Sequence, residues 1–189
     1  MATTGSDDAD VIFFPDAAAF EAWLDDHVDH GPGAWLKIAK KSSGIASLTD
    51  DEAVDVGLCF GWISGQRRSL DDTFYLQKYV PRRPRSRWSQ VNVRKVEQLL
   101  AAGRMRPAGL AEVEAAREDG RWDAAYASQK DATPPPDLLD AMAASPRAAQ
   151  AFERLNRTDR YAILLELETA RSPETRAARL RRAVETLQS

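Results

Sequence analysis

The sequence has little of what disulfide-stabilised, secreted or membrane-spanning proteins depend on. Among 189 residues there is a single cysteine, Cys59, so no intramolecular disulfide can form. No apolar run approaches the ~18 residues needed to cross a bilayer. Residues 1–10 are small, polar and acidic and lack the basic and apolar regions of a secretory signal. These absences predict a cytoplasmic protein without membrane insertion.

Motifs for catalysis and cofactor binding are missing as well. No phosphate loop, dinucleotide fingerprint, nucleophile elbow or zinc pattern occurs. His27 and His30 have a spacing that can chelate a metal, but they lie in an acidic helix end, which favours a solvated tip. Cys59 lies between Leu58 and Phe60, which favours a buried structural thiol. We therefore predict no cofactor, no metal and no catalytic residue.

Charge is nearly balanced overall but unevenly distributed. The chain has 26 lysines and arginines, 29 aspartates and glutamates and a net charge of −3, so any anion site must be local. Residues 80–95 carry six positive charges and no acid, and Pro81 and Pro84 stiffen the segment before a helix start. The planar guanidinium group of arginine and the free N–H groups at a helix start both bind phosphate or carboxylate well. Alternatively, these arginines pair with acids elsewhere or stay solvated.

The pattern of apolar residues predicts the α+β class, with a small antiparallel sheet and helices in the N-terminal half and an all-helical C-terminal module. Trp35 and Lys37 are predicted on one side of a strand and Leu36 on the other, and Phe74 and Leu76 share one side of a later strand. The predicted organisation is a disordered lead-in (1–10), an α+β domain (11–128), a proline-rich linker (129–136) and a helical module (137–189).

Helix starts have clear signals. Asp16 is a candidate N-cap, and Thr49 with Glu52 forms a capping box. Ser145 and Ser172 each precede a proline at the first helical position. These signals place four of the predicted helices.

Three tryptophans beside charged or glycine-rich stretches have two interpretations. Trp35, Trp62 and Trp88 either form a stacking platform for a base or sugar, or they are core anchors whose indole N–H binds a carbonyl. The sequence leaves both interpretations open.

Several ordered stretches together resemble the YdeI/OmpD-associated family of bacterial proteins. The motifs extend from about residue 11 to 187 and include FEAWL (20–24), WLKIAKK (35–41), CFGWI (59–63), PRRPRSRWS (81–89), GRM (103–105) and ARSPETR (170–176). One departure is Ser64, where the family usually has aspartate.

The resemblance implies a modest function. The family is associated with bacteriocin protection or stress resistance, and no reaction is firmly attached to it. Its N-terminal half is similar to small α+β proteins of the YjbR type, which implies DNA binding. The helices beyond the linker resemble the family's OmpD-associated module. Since Ser64 cannot act as a carboxylate, a catalytic role at this position is disfavoured.

The first functional hypothesis is a cytosolic binding protein with an anion-accepting groove for nucleic acid or another phosphate- or carboxylate-bearing molecule. Phosphate contacts would supply affinity, and Trp62 or Trp88 would stack on a base. The residues assigned to this groove are Lys40, Lys41, Trp62, Arg67, Arg68, Arg82, Arg83, Arg85, Arg87 and Trp88.

Two other hypotheses belong to different classes. One is an interaction or stress-tolerance protein whose arginines bind an acidic protein surface and whose C-terminal helices (137–189) face the partner. The other is an enzyme without a recognisable motif, in which an acid such as Asp71 or Asp72 meets an arginine in a pocket.

Overall fold

The structure is a computed structural model and describes residues 9–189. The chain forms two compact units: the first holds the described residues through Ser86 together with Asn92–Ala124, and the second holds Arg87–Val91 and Ala125–Ser189. Strands occur early and helices dominate later, which confirms the predicted α+β class. Of the predicted disordered lead-in, residues 1–8 lie outside the described residues.

The strands and first helices follow one another with short connections. In chain order the elements are β1 (Val11–Phe13), α1 (Ala17–His27), β2 (Ala34–Ala39), a 3₁₀ turn (Lys41–Ser43), α2 (Asp50–Cys59), β3 (Trp62–Ser69), β4 (Phe74–Pro81), α3 (Gln90–Ala101) and α4 (Pro107–Glu118).

The sheet is mixed rather than antiparallel throughout, which corrects the sequence prediction in one respect. Its strand order is β1-β2-β4-β3. The β2–β4 and β3–β4 pairs are antiparallel, as expected. The β1–β2 pair is parallel, with Val11 opposite Trp35. The reason is that α1 lies between these strands and returns the chain to the end of the sheet where β1 began.

Two predicted caps begin the first two helices, α1 and α2. The Asp16 carboxylate accepts the Ala19 N–H at 2.8 Å, at the start of α1. At α2, the Thr49 hydroxyl accepts the Glu52 N–H at 3.3 Å, and Glu52 accepts the Thr49 N–H at 2.9 Å. The Thr49 hydroxyl also donates to the Glu52 carboxylate at 2.7 Å. The Thr49 N–H and then this hydroxyl are the main causes that lower the pKa of Glu52. The capping box is therefore confirmed.

A β-bulge interrupts the pairing of β3 with β4. Ser64 lies opposite Tyr79 and Arg67 lies opposite Gln77, so two residues of β3 face a single residue of β4 between them. The side-chain amide of buried Gln77 donates to the carbonyls of Gly65 and Gln66 at 3.0 and 3.1 Å, which satisfies the bulge. Because the bulge adds one residue, it reverses the alternation of every later side chain in β3.

One face of the sheet packs in the core of the first unit. Leu36 and Ile38 of β2 and Tyr79 of β4 are almost completely buried there, together with Phe20 and Leu24 of α1. Burial raises the pKa of the Tyr79 hydroxyl well above its usual range. We call this side of the sheet the core face.

Helices α2 and α4 pack closely at Gly109 of α4, which has no side chain. A Cβ added at Gly109 of α4 would overlap the carbonyl oxygen of Cys59. Only glycine permits this close approach. The contact closes the C-terminal end of α2.

The second unit contains a separate helical core. Its helices are α5 (Pro136–Ala143), α6 (Pro146–Arg154), α7 (Arg157–Glu168) and α8 (Pro173–Gln188). The buried side chains of this core are Leu138, Met142, Ala148, Phe152, Leu164, Leu167 and Leu187.

The starts of three helices in the second unit can be compared with the sequence. Ser145 and Ser172 cap α6 and α8 as predicted. Helix α5 begins at Pro136, so the last residue of the predicted linker is helical. None of the helices in residues 9–189 has the length and apolar character that a membrane crossing demands.

Candidate functional site

The candidate site is the side of the sheet opposite the core face. Leu36 pairs with Gln77 on the core face, so the next residues in each strand, Lys37 and Leu76, pair on the other side. Because the bulge reverses the alternation in β3, Arg68 lies on this side as well. The part of this side that we call the basic face is formed by eight residues: Val11, Phe13, Trp35, Lys37, Arg68, Phe74, Leu76 and Lys78.

Three cations of the basic face lie over aromatic rings. The ammonium of Lys37 is 4.1 Å from the centroid of Phe74. The guanidinium carbon of Arg68 is 4.4 Å from the Trp35 ring, and the ammonium of Lys78 is 5.3 Å from it. The ring quadrupole attracts each cation, so the positive charges are concentrated above β2 and β4.

The β1 edge of the basic face exposes apolar surface. Val11 is 55% exposed and Phe13 is 42% exposed. The ring of Phe13 meets the ring of Phe74 edge-to-face, with 6.1 Å between centroids. Trp35, by contrast, is only 3% exposed. Phe74 is half-buried, so the most exposed ring of this face is that of Phe13.

No aspartate or glutamate occupies any of the eight positions of the basic face. The β3–β4 connection contains Asp71, whose carboxylate accepts the N–H groups of Thr73 and Phe74 at 2.8 and 2.7 Å. The N–H of Phe74 and then that of Thr73 are the main causes that lower the pKa of Asp71. Lys37 and Lys40 favour its charged form as well. Asp71 thus serves to form the turn.

Lys40 and Lys41 lie next to the start of β4. The N–H of Lys40 donates to the carbonyl of Thr73 at 2.8 Å. Its ammonium donates to the carbonyl of Asp71 at 2.7 Å. Lys41 is exposed in the 3₁₀ turn. Both lysines therefore add positive charge at this end of the sheet.

The adjacent arginines of β3 point to opposite sides of the sheet. Arg67 donates to the carboxylate of Asp50 at 2.6 Å and to the side-chain oxygen of Gln77 at 2.8 Å, and it lies 4.6 Å from the Tyr75 ring. Arg68 lies over Trp35 on the basic face. Of the two predicted site residues, Arg67 is held by core-face partners and Arg68 belongs to the basic face.

The arginines after β4 form a tight turn. Arg82 is only 6% exposed, whereas Arg83 and Arg85 are exposed. The Ser86 N–H donates to the Arg83 carbonyl at 2.9 Å, and Arg85 has a φ of 71°. With proline at the preceding position, this is the geometry of a type II turn, which normally has glycine where Arg85 stands. The turn presents two guanidinium groups to solvent.

The predicted groove residues of the first unit lie at two ends of β4. Lys40 and Lys41 are at its start, and Arg83 and Arg85 follow its end. Strand β4 has eight residues, Phe74–Pro81, which separates its two ends by about 24 Å. The cations therefore form an extended track along the sheet rather than one compact pocket.

Two tryptophans assigned to the groove are core residues by burial. Trp62 and Trp88 are each 1% exposed. The indole N–H of Trp62 donates to the Val28 carbonyl at 2.9 Å. Neither ring has a face open to a base, so the core interpretation holds for both. Arg87, which precedes Trp88, is exposed and belongs to the second unit.

The second unit has a groove of its own between α7 and α8. Its volume is about 750 Å³. We call it the α7–α8 groove; its lining includes Arg87, Ile163, Glu166, Arg182, Ala183 and Leu187. The lining has apolar side chains at its base and charged side chains of both signs around them. This combination suits a protein segment better than a small anion.

The histidines and the cysteine have structural partners. The His27 ring stacks on Trp23 at 4.3 Å, and its Nδ1 donates to the Trp23 carbonyl at 2.7 Å. Across residues 9–189, no group of three or more histidines, cysteines or acids is placed to hold a metal ion. Cys59 is 1% exposed, and burial raises the pKa of its thiol, so it is the buried thiol that the sequence predicts.

These features define an α+β protein with a basic sheet face and a helical C-terminal module. A family model described as a domain of unknown function (DUF8412) matches residues 12–112, more than half of the chain, and the chain belongs to this family. A second model, described as bacteriocin-protection, YdeI or OmpD-associated, matches residues 131–189. No curated protein and no solved structure matches the chain.

The second match confirms the resemblance seen in the sequence for the C-terminal module. It spans a shorter range than the quoted motifs, which begin near residue 11. The basic face lies in the region that matches the domain of unknown function, apart from Val11 at its edge. Apart from Arg87, the residues that line the α7–α8 groove lie in the region that matches the YdeI/OmpD-associated model.

Sequence reasoning assigned Arg68 to the groove and considered Trp35 for stacking, but it missed the other six members of the basic face, among them Phe13, Lys37, Phe74 and Lys78. The alternation in β2 and β4 placed Lys37 beside Trp35 and Phe74 beside Leu76, but it could not pair one strand with the other. Gly65 was the available signal for the bulge, since an isolated glycine in a strand often marks one. Once the bulge is placed at Gly65, the alternation assigns Arg67 to the core face and Arg68 to the basic face.

Proposed function

We propose that the protein is a non-enzymatic, cytoplasmic binding protein that takes a phosphate-bearing anion, foremost a nucleic acid, on the basic face of its first unit. The observation that supports this most directly is the set of three cations, Lys37, Arg68 and Lys78, which lie over aromatic rings on one side of the sheet. A phosphate can replace the ring as the partner of such a cation at little cost.

The surrounding charges extend the same site. Lys40 and Lys41 lie at one end of β4, and Arg83 and Arg85 lie beyond the other. An extended polyanion uses such a track more fully than a single phosphate does, because each neutralised phosphate releases counterions. The net charge of −3 makes the binding depend on this local track rather than on the whole molecule.

The test is equilibrium binding of labelled single-stranded and double-stranded DNA to the full chain over a range of salt concentrations. We expect affinity that falls steeply with salt and is still measurable at about 0.15 M. Replacing Lys37, Arg68 and Lys78 together with glutamine should flatten the salt dependence. An unchanged slope, or no binding even at low salt, would refute the proposal.

A second candidate function is supported by the α7–α8 groove, which fits the docking of a protein segment. Its floor includes Ile163, Ala183 and Leu187, and its rim is charged. In Ala183→Glu a carboxylate would enter the apolar floor, while Ala178→Glu adds the same charge at an exposed position of α8. If the groove binds a partner, affinity capture with the full chain loses it in the first variant and keeps it in the second.

A further inference from the structure

We propose that the basic face selects single-stranded over double-stranded nucleic acid, because the phenyl rings of Phe13 and Phe74 stack on unpaired bases while Lys37, Arg68 and Lys78 contact the phosphates. This inference rests on the proposed function and adds the class of nucleic acid and the residues that distinguish it. It uses the exposed ring of Phe13 and the half-buried ring of Phe74, which phosphate binding alone does not need.

The aromatic side of the face is the first reason. Phe13 is 42% exposed on an edge strand, and its ring meets that of Phe74 at 6.1 Å. Stacking on an aromatic ring is open to every base, and a base becomes available for it only when it is unpaired. Bases within a duplex are covered by their neighbours, so a duplex would meet this face through its phosphates alone.

The second reason is that cations and rings occupy neighbouring positions. Lys37 lies opposite Leu76 between β2 and β4 and reaches the Phe74 ring at 4.1 Å. When a base takes the ring surface, the ammonium moves only a few ångströms to reach the adjacent phosphate. In a single strand, phosphate and base alternate on the same scale. One cation–ring pair therefore serves one nucleotide.

Trp35 has a different part in this arrangement. At 3% exposure it offers no ring face to a base. It lies beneath Arg68 at 4.4 Å and Lys78 at 5.3 Å and so sets where these two cations stand. Trp35 is thus a positioning residue for the phosphate contacts, and Phe13 and Phe74 are the residues that meet bases.

The length of the track is compatible with a short single strand. Strand β4 has eight residues, Phe74–Pro81, and extends about 24 Å. Sheet-based proteins that bind single strands cover roughly 4–16 nucleotides. We therefore choose a probe of about twelve nucleotides, which spans the track and permits a duplex control of the same length.

The experiment measures fluorescence anisotropy of labelled oligo-deoxythymidine and of a duplex of equal length, with the full chain and four ring variants. Phe13→Leu and Phe74→Leu keep an apolar side chain but remove the ring, whereas Phe13→Tyr and Phe74→Tyr keep the ring. Thermal unfolding followed by circular dichroism identifies any variant that has lost its fold. The tyrosine variants at the same positions are the matched controls.

We expect each leucine variant to weaken single-strand binding roughly tenfold, because one stacked base is lost. Duplex binding should be unchanged in both, and the tyrosine variants should bind as the unmodified protein does. The salt slope should stay the same in all four, since no phosphate contact is removed, whereas Lys37→Gln should reduce its magnitude by about 0.7.

Two results would overturn the inference in distinguishable ways. Equal affinity for single strand and duplex, with leucine variants that bind normally, would leave a general polyanion site and spare the proposed function. No binding of either probe at low salt would remove the proposed function and the inference together. If a leucine variant unfolds, the comparison of single strand with duplex in the unmodified protein still decides the matter.

Discussion

The core face and the basic face of the sheet each contain an arginine of β3, but the two arginines have different kinds of partner. On the core face, the guanidinium of Arg67 is held by Asp50 and by the side chain of Gln77, at 2.6 and 2.8 Å. On the basic face, Arg68 lies over the ring of Trp35. These two arginines are neighbours in the chain. The comparison teaches that position relative to the bulge, rather than residue type, decides which cation stabilises the fold and which can meet a ligand.

The largest effect on this difference between the faces is expected from removing Gln77, the side chain that supports the bulge. In Gln77→Leu the carbonyls of Gly65 and Gln66 lose their amide donor and Arg67 loses an acceptor. Gln77 is 3% exposed, so we expect a loss of about 1–3 kcal/mol in the free energy of unfolding, measured in urea.

Weakened DNA binding should accompany that loss, because the bulge sends Arg68 to the basic face. The matched control is Gln98→Leu on the exposed side of α3, where we expect a change below about 0.5 kcal/mol. If Gln77→Leu leaves both stability and binding intact, the bulge does not depend on this side chain.

The next prediction separates the faces by function. The double variant Arg68→Gln and Lys78→Gln should bind single-stranded DNA less tightly, with the salt slope reduced in magnitude by about 1.4 for two lost phosphate contacts. Arg67→Gln, on the other side of the same strand, should keep the slope of the unmodified protein. Anisotropy titrations at several salt concentrations measure both. If the salt slope falls equally in both, then the side of the sheet on which a β3 arginine lies does not affect DNA binding.

Much of the fold could be predicted from the sequence because its signals are local. The capping residues Asp16 and Thr49, the alternation around Trp35 and the buried position of Cys59 each depend on a few neighbouring residues. The parallel β1–β2 pair and the join of Phe13 to Phe74 depend on strand order, which a single sequence does not contain. The candidate site was predicted in part for the same reason: Arg68 and Trp35 were named separately, but Phe13 and Phe74 were not.

A smaller effect is expected at the turn beyond β4. Arg85 has a φ of 71°, a conformation that costs a residue with a side chain roughly 1 kcal/mol relative to glycine. Arg85→Gly should therefore raise the free energy of unfolding by up to about 1 kcal/mol. It should also weaken DNA binding if the track extends past the end of the sheet. Arg83→Gly, at a position without this strain, is the control and should not gain stability.

The smallest effect is a pH dependence at the opposite end of β4. The N–H groups of Phe74 and Thr73 lower the pKa of Asp71 in the folded state. A lowered folded-state pKa means that the carboxylate contributes stability above its unfolded pKa of about 3.9 and that this contribution is lost as the pH falls through the folded value. Asp71→Asn should therefore be less stable than the unmodified protein at neutral pH.

The stability difference between Asp71→Asn and the unmodified protein should shrink as the pH falls below about 4. Urea unfolding of the two proteins at a series of pH values measures it. The control is Asp72→Asn at the next position, because the N–H groups of Thr73 and Phe74 donate to Asp71. A difference that stays constant with pH would mean that the turn needs only a neutral acceptor at position 71. The charge of Asp71 would then bear on the electrostatic field around Lys37 and Lys40 rather than on folding.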